Sequence, residues 1–339
     1  MLKYLSYKEI DKQKWDNCVA TDSQQLPYAF SWYLDIISPH WSAIVLNDYQ
    51  AIFPVTVSQK WTIAYIAQPI FAQQLGLFGT YTPNDFLEII QLLRHKFKFV
   101  AHLNLNETSQ NLITNYNHYL FSDAKIFQNH TLDLSLGYAK IYENYSLDRK
   151  KNLKKGQENN WQVTESKDIK AIIDLFDKNH SHQIEGGIQK DTYQILTKLF
   201  TELEARKMSK LYLATLNGKI EAAAWFVFCG NRIIYLFNAA SAIGRKGNAR
   251  TILIDNIIKK YADEGIIFDF ESPSIASIDG FYKSFGAKTL TFTQLKWNKL
   301  PKIINFLWKL KRVGSSTINT ALWKASLKAK PSMNFQDTF

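Results

Sequence analysis

Gly244-Arg-Lys-Gly-Asn-Ala-Arg250 sets two glycines and three basic side chains directly before a run with helical apolar spacing. Unpaired N–H groups at a helix start, with Arg245, Lys246 and Arg250 around them, favour an anion. The same residues also suit a plain turn with solvated bases. A second basic run, Asp148-Arg-Lys-Lys-Asn-Leu-Lys-Lys-Gly156, reads as a charged helix, either a solvated linker face or a contact for phosphate groups. His180 and His182 lie two apart, as metal ligands can, but no third ligand is near. A polar loop or a substrate contact fits them better, and no metal is expected. Glu271 and Glu221 are carboxylates at strand ends, where burial raises a pKa toward general-base range or a lysine pairs with the charge. Of the two, Glu271 is the candidate base and Glu221 the structural residue.

The elements that must position these residues can be read between Trp161 and Trp297 from periodicity and turn chemistry. A strand (161–166) and two helices (167–179 and about 191–207) come first. An antiparallel meander follows over 210–216, 219–228 and 232–239, with Asn217-Gly218 as its first hairpin turn. A helix over 248–264 is expected to end at Gly265 in the left-handed position. A strand (266–271), a short helix (275–285) and a last strand (288–297) complete a β-α-α-β-β-β-α-β-α-β unit.

The first half repeats much of this order. Ala43–Pro54 and Tyr212–Ala223 share a strand, a Leu-Asn turn and a strand, and Trp61–Gln68 corresponds to Arg232–Ala239. A helix opening at Thr82-Pro83 and running through Phe97, then a strand over 100–105, matches the later helix and strand 266–271. Tyr119 is placed like Tyr282.

At 339 residues with 46% hydrophobic and 14% aromatic content, two folded domains are expected and wholesale disorder is not. Cys18 and Cys229 are the only cysteines, which leaves no disulfide framework and suits a reducing cytoplasm. The start of the chain lacks the apolar core of a signal peptide, and no run reaches the roughly 20 apolar residues that span a bilayer. The net charge of +11 is uneven, because 299–330 carries eight basic residues and no acidic one. Ile303, Ile304, Leu307, Trp308 and Leu310 with the neighbouring bases form a basic amphipathic helix, suited either to an anionic membrane surface or to packing on the body.

This element order resembles the GNAT superfamily. Ile266-Ile-Phe-Asp-Phe-Glu-Ser followed by Gly280-Phe-Tyr-Lys-Ser-Phe-Gly-Ala287 is similar to its closing strand and helix. With the duplicated organisation and the basic bridge, the whole resembles the tandem-GNAT branch that includes the Fem-type peptidyltransferases. The fold class implied is α/β (α+β), two tandem GNAT-like domains, each a mixed, mostly antiparallel sheet flanked by helices. The boundaries are 1–136 for a degenerate first domain expected to bind no cofactor, 137–298 for a second domain with the cofactor site, and 299–339 for the basic tail.

The resemblance implies acyl-CoA or acetyl-CoA as co-substrate, with its pyrophosphate on Arg245, Lys246, Gly247, Asn248, Ala249 and Arg250. Gly244 stands where the family usually has Arg or Gln three residues before its central glycine, so the loop by itself does not choose the donor. Tyr282 would be the general acid for the departing thiolate, since a phenol donates readily to an anion of similar basicity. Glu271 would take the proton of an amine acceptor, and His180 and His182 would shape the pocket for that acceptor, a small molecule or a peptide-like amine. The leading expectation is an N-acyltransferase acting by direct attack. The alternatives are a Fem-like transferase that uses aminoacyl-tRNA on a cell-wall precursor, and a non-catalytic module that binds an envelope or lipid component.

Overall fold

A computed structural model describes residues 1–115, 124–181, 188, 190–272 and 276–304. The first half runs β1 (Leu2–Leu5), α1 (Lys12–Thr21), α2 (Ser31–Ile37), β2 (Ser42–Leu46), β3 (Ala51–Val55), β4 (Val57–Lys60), β5 (Ile63–Ala67), β6 (Phe78–Gly79), α3 (Pro83–Lys96), β7 (Phe99–Asn104), α4 (Glu107–Asn115) and β8 (Lys125–Asp133). Two bridging helices follow, α5 (Tyr138–Glu143) and α6 (Leu147–Glu158). The second half runs β9 (Gln162–Ser166), α7 (Ile169–His180), α8 (Lys190–Ala205), β10 (Ser209–Leu216), β11 (Lys219–Cys229), β12 (Arg232–Ala240), α9 (Ala242–Lys246), α10 (Ala249–Lys260), β13 (Ile267–Asp269), α11 (Ala276–Lys283) and β14 (Lys288–Asn298).

Local chemistry accounts for several of these boundaries. Thr82 and Asp85 form a reciprocal capping box with Pro83 at the first helical position of α3. Asn217 and Gly218 both have positive φ (50° and 73°), as a two-residue turn between β10 and β11 requires. The end of α10 differs from expectation. The helix stops at Lys260, and Asp263 (φ 69°), not Gly265, takes the left-handed conformation. The segment from Ala242 to Ala249 also differs, because α9 and a left-handed Asn248 precede α10 in place of an open loop. Tyr119 lies outside the described residues.

The sheet order is β4-β5-β7-β14-β8-β13-β12-β11-β10-β9, with β1-β2-β3-β6 as a separate four-stranded sheet. The two halves are related by pattern: β5 pairs with β7 in parallel, and β12 with β13 in parallel. Their last strands are exchanged. β8, from the first half, pairs with β13, while β14, from the second, pairs with β7. At the centre β8 and β14 pair antiparallel from Thr131↔Lys288 to Lys125↔Gln294.

One core lies between the halves. It joins Trp15, Tyr28, Tyr33 and Trp41 of the first half to Phe176, Phe200, Trp225 and Phe237 of the second. The opposite face of the second-half sheet packs against α6, α10 and α11 through Phe226, Tyr235, Leu253, Phe270 and Tyr282. Burial of large rings on both faces fixes the register of β11 and β12, since a one-residue slip would exchange the two sets. Among the described residues no helix is long and apolar enough to cross a membrane. Most of the basic tail lies outside the described residues, although Leu300 and Ile304 already pack against Phe99.

Candidate functional site

β12 and β13 stay paired for only three residues, Arg232–Ile234 against Ile267–Asp269. Beyond that point the strands part, because the chain after β13 turns toward β8. The Phe270 N–H donates to the His130 carbonyl (3.0 Å) and the Ser272 N–H to Asn129 Oδ1 (2.8 Å). Glu271, between them, has φ 44°, an unusual value for a residue with a side chain. Asp269 holds it there. Asp269 Oδ1 accepts from the Glu271 N–H (2.8 Å) and from Asn129 Nδ2 (2.8 Å), while Oδ2 pairs with Arg232 at 2.6 Å.

Glu271 is 3% exposed and looks toward the first half. The Tyr28 hydroxyl and the Gln73 backbone N–H bond its carboxylate, yet Oε2 has no hydrogen-bond partner. Burial, and then the charge of Asp269, push its pKa well above the usual carboxylate range. Gln73 also donates through Nε2 to the Ser272 carbonyl (2.9 Å), so first-half residues grip both sides of this turn.

Tyr282 lies on the other face of the sheet, fully buried on α11. Its ring packs on Phe270 at 4.8 Å, Phe281 at 5.4 Å and Tyr235 at 6.5 Å. Its hydroxyl has no hydrogen-bond partner, and burial pushes the phenol well above its ordinary pKa. The Tyr235 hydroxyl and His130 Nε2 are likewise buried without partners.

The glycine-rich stretch does not work as expected. The Gly244 N–H donates to Ser241 Oγ (3.0 Å), that of Gly247 to the Ile243 carbonyl (2.8 Å) and that of Asn248 to the Arg245 carbonyl (3.2 Å). A side chain at Gly244 would strike the Glu221 carbonyl, and one at Gly247 would reach Trp161 at 2.5 Å. The glycines therefore serve close packing, and their amides are not open to a phosphate. The first turn of α10, Ala249 and Arg250, remains as the helix start on the expected stretch.

Cations gather around that start. Arg250 Nη1 donates to Asn238 Oδ1 (3.2 Å), Arg245 Nη1 to the Ala240 carbonyl (2.7 Å), and Lys246 is exposed. Arg149 of α6 is buried and makes no ion pair among the described residues. It bonds Thr251 Oγ1 (2.5 Å) and Ser284 Oγ (2.9 Å) and stacks at 4.3 Å on both Phe281 and Phe285. Burial lowers its pKa to about 10, and burial followed by the charge of Arg250 lowers that of Arg245. The sequence reading missed Arg149, although Arg149, Leu153 and Gly156 share one helical face and are all buried. It also missed His130 and Tyr28, which reach the site through the exchanged strand and the core between the halves and carry no local signal.

His180 is not a loop residue. It ends α7, is buried against Phe176, and its Nε2 accepts from the Ala240 N–H at 3.2 Å. His182 lies outside the described residues. Glu221 is bonded by the Ser241 hydroxyl. No cluster of three metal-ligating side chains occurs among the described residues.

Residues 144–274 match the family described as acetyltransferase (GNAT) domain, which makes acyl transfer the reaction class. FemX is similar in fold, with a TM-score of 0.59 at 11% identity over 91% of this chain and 99% of its own. A conserved protein of unknown function from Bacteroides thetaiotaomicron gives 0.58 at 10% identity over 85% of this chain and 97% of its own. No sequence relative was found among curated proteins. The parallel, parting strands, the buried tyrosine on the helix beyond them and the family match agree: residues 144–274 match the acetyltransferase (GNAT) domain, and the fold of the whole chain is similar to that of FemX.

Proposed function

We propose that the protein transfers an acyl group from acyl-CoA to a primary amine, with chemistry at the gap between β12 and β13. The observation that carries this reading is the placement of Tyr282 and Glu271 on opposite faces of one strand gap, each buried with an oxygen left unpartnered. Glu271 takes a proton from the amine, whose nitrogen then bonds to the acyl carbon, and Tyr282 gives a proton to the leaving sulfur as the thioester bond breaks. Two buried groups, one on α11 and one on the hydrogen-bonded turn after β13, supply orientation, a large part of such catalysis. The donor's phosphates would lie at the start of α10, against Arg250, Arg245 and Lys246. The bonds from Tyr28 and Gln73 to the Glu271 turn support an acceptor cleft lined in part by the first half.

Calorimetric titration with acetyl-CoA and CoA tests this. Micromolar binding that an Arg245→Ala, Lys246→Ala variant loses by about tenfold or more supports it, and absence of binding at low salt sinks it. A second reading, aminoacyl-tRNA as donor, is favoured by the self-bonded Gly247 and Asn248 amides and by exposed Lys151, Lys154 and Lys155 on α6. Binding of charged tRNA with steep salt dependence would select it. We also propose that the basic tail meets an anionic membrane surface. Removing 305–339, which spares Leu300 and Ile304, should then abolish binding to anionic liposomes, and unchanged binding would refute the contact.

A further inference from the structure

The backbone of β13 alternates between two neighbours. The Ile267 N–H donates to the Asn231 carbonyl just before β12 (2.8 Å), and the Phe270 N–H to the His130 carbonyl of β8 (3.0 Å). Amides of the odd-numbered residues thus face β12, and the Glu271 N–H is the donor that would carry this ladder on. It donates instead to Asp269 Oδ1, two residues back, at 2.8 Å. A carboxylate that bonds the amide two residues on makes a local turn and competes with a sheet ladder. The pairing of β12 with β13 accordingly ends at Ile234↔Asp269.

We propose that Asp269 is a positioning residue for the reaction: by taking the Glu271 N–H away from β12 it opens the strand gap, and it fixes Glu271 in its left-handed conformation for proton removal. This rests on the reading of Glu271 as the base.

Three strands hold the Asp269 carboxylate, which is buried. Oδ2 pairs with Arg232 of β12 at 2.6 Å, and Oδ1 also accepts from Asn129 Nδ2 of β8 at 2.8 Å. Asn129 Oδ1 accepts in turn from the Ser272 N–H (2.8 Å), so these bonds bracket Glu271 on both sides. A φ of 44° is disfavoured for a residue with a side chain and persists where its surroundings over-determine it. The two oxygens have different duties. The pair with Arg232 compensates a buried charge, which bears on stability. The bond from the Glu271 N–H needs only an acceptor oxygen at that place, and an asparagine supplies one as well as an aspartate does.

The test separates these duties in an Arg232→Gln background, where neither Asp269→Asn nor Asp269→Ala leaves a buried charge unpaired. CoA release from acetyl-CoA is measured with lysine, putrescine and glucosamine as amine probes, at a temperature where both variants are folded. Asp269→Asn should exceed Asp269→Ala by about 10²-fold in kcat, with the KM for acetyl-CoA alike within about threefold. Equal kcat in the two, or a difference confined to KM, would overturn the assignment. The single variants Asp269→Asn and Asp269→Ala repeat the comparison in case the background does not fold. Glu271→Gln, assayed alongside, tells the two readings apart. Full turnover in it removes the base and the role of Asp269 together, whereas lost turnover with equal Asp269 variants removes the role of Asp269 alone. If the native protein releases no CoA, the acyl-CoA reading falls and amide hydrogen exchange decides on Asp269. The Glu271 N–H should then exchange at least about tenfold faster in Asp269→Ala than in Asp269→Asn, and equal rates refute the turn bond.

Discussion

At the scale of single residues, the two candidate catalytic groups answer differently to removal. Glu271→Gln keeps the shape of the side chain and removes the base. Acyl transfer is expected to fall about 10²–10⁴-fold, the usual worth of a positioned general base, in a steady-state assay with an amine acceptor. The native enzyme should gain rate as pH rises through a pKa above the usual carboxylate range, and the variant should lack that limb. The same shift acts on stability. The native state holds the Glu271 proton to higher pH than the unfolded chain does, so its contribution is full below the unfolded pKa and is lost as pH rises through the folded one. The melting temperature of Glu271→Gln relative to the parent should therefore improve as pH rises above the ordinary glutamate pKa of about 4.3, and a constant difference would refute the shift. Tyr282→Phe removes an oxygen that has no partner, so it should lower turnover while leaving the melting temperature equal or higher. Arg149→Lys should destabilise by about 1–3 kcal/mol in denaturant titration, because an ammonium cannot bond Thr251 and Ser284 while stacking on two phenylalanines.

At the scale of elements, α9 is the part most sensitive to a single methyl group. Gly244→Ala would press a side chain onto the Glu221 backbone, and a loss of about 1–3 kcal/mol or more is expected from chemical denaturation. If the glycines served only a phosphate, the substitution would reduce ligand affinity and spare stability. This element also marks where reading the sequence runs out. The meander β10–β12, the helix α3 and its Thr82 cap follow from periodicity and turn residues, so they were legible. A five-residue helix containing a glycine carries too little pattern to be told from a turn. The bridge helix was legible as a charged segment, but the burial of Arg149 depended on α10 and α11 lying across it. Tyr282 and Glu271 were found through the likeness of the closing strand and helix to a family. The partners that define their chemistry, Tyr28, Gln73 and His130, come from more than 140 residues away, and no local pattern announces them.

For the whole molecule, the shared core and the exchanged strands make the two halves one unit. Separate expression of 1–136 and 137–298 is expected to give insoluble or unfolded fragments, and co-expression to restore a folded complex; a cooperative melting transition from either fragment alone would contradict this. The repeat visible in the sequence predicted two folded segments in tandem. Strand exchange was beyond it, since β8 and β14 are equally suited to either neighbouring edge when only alternation of side chains is considered. Exchange also imposes an order in time. When β8 leaves the ribosome, neither of its neighbours exists, because β13 and β14 are synthesised more than a hundred residues later. Until then its backbone donors and acceptors form an open edge, and edges of that kind pair with other chains. Closure of the sheet must wait for nearly the whole chain, which makes folding slow and non-local. Newly made protein should thus depend on a chaperone most strongly while β8 waits for β13 and β14.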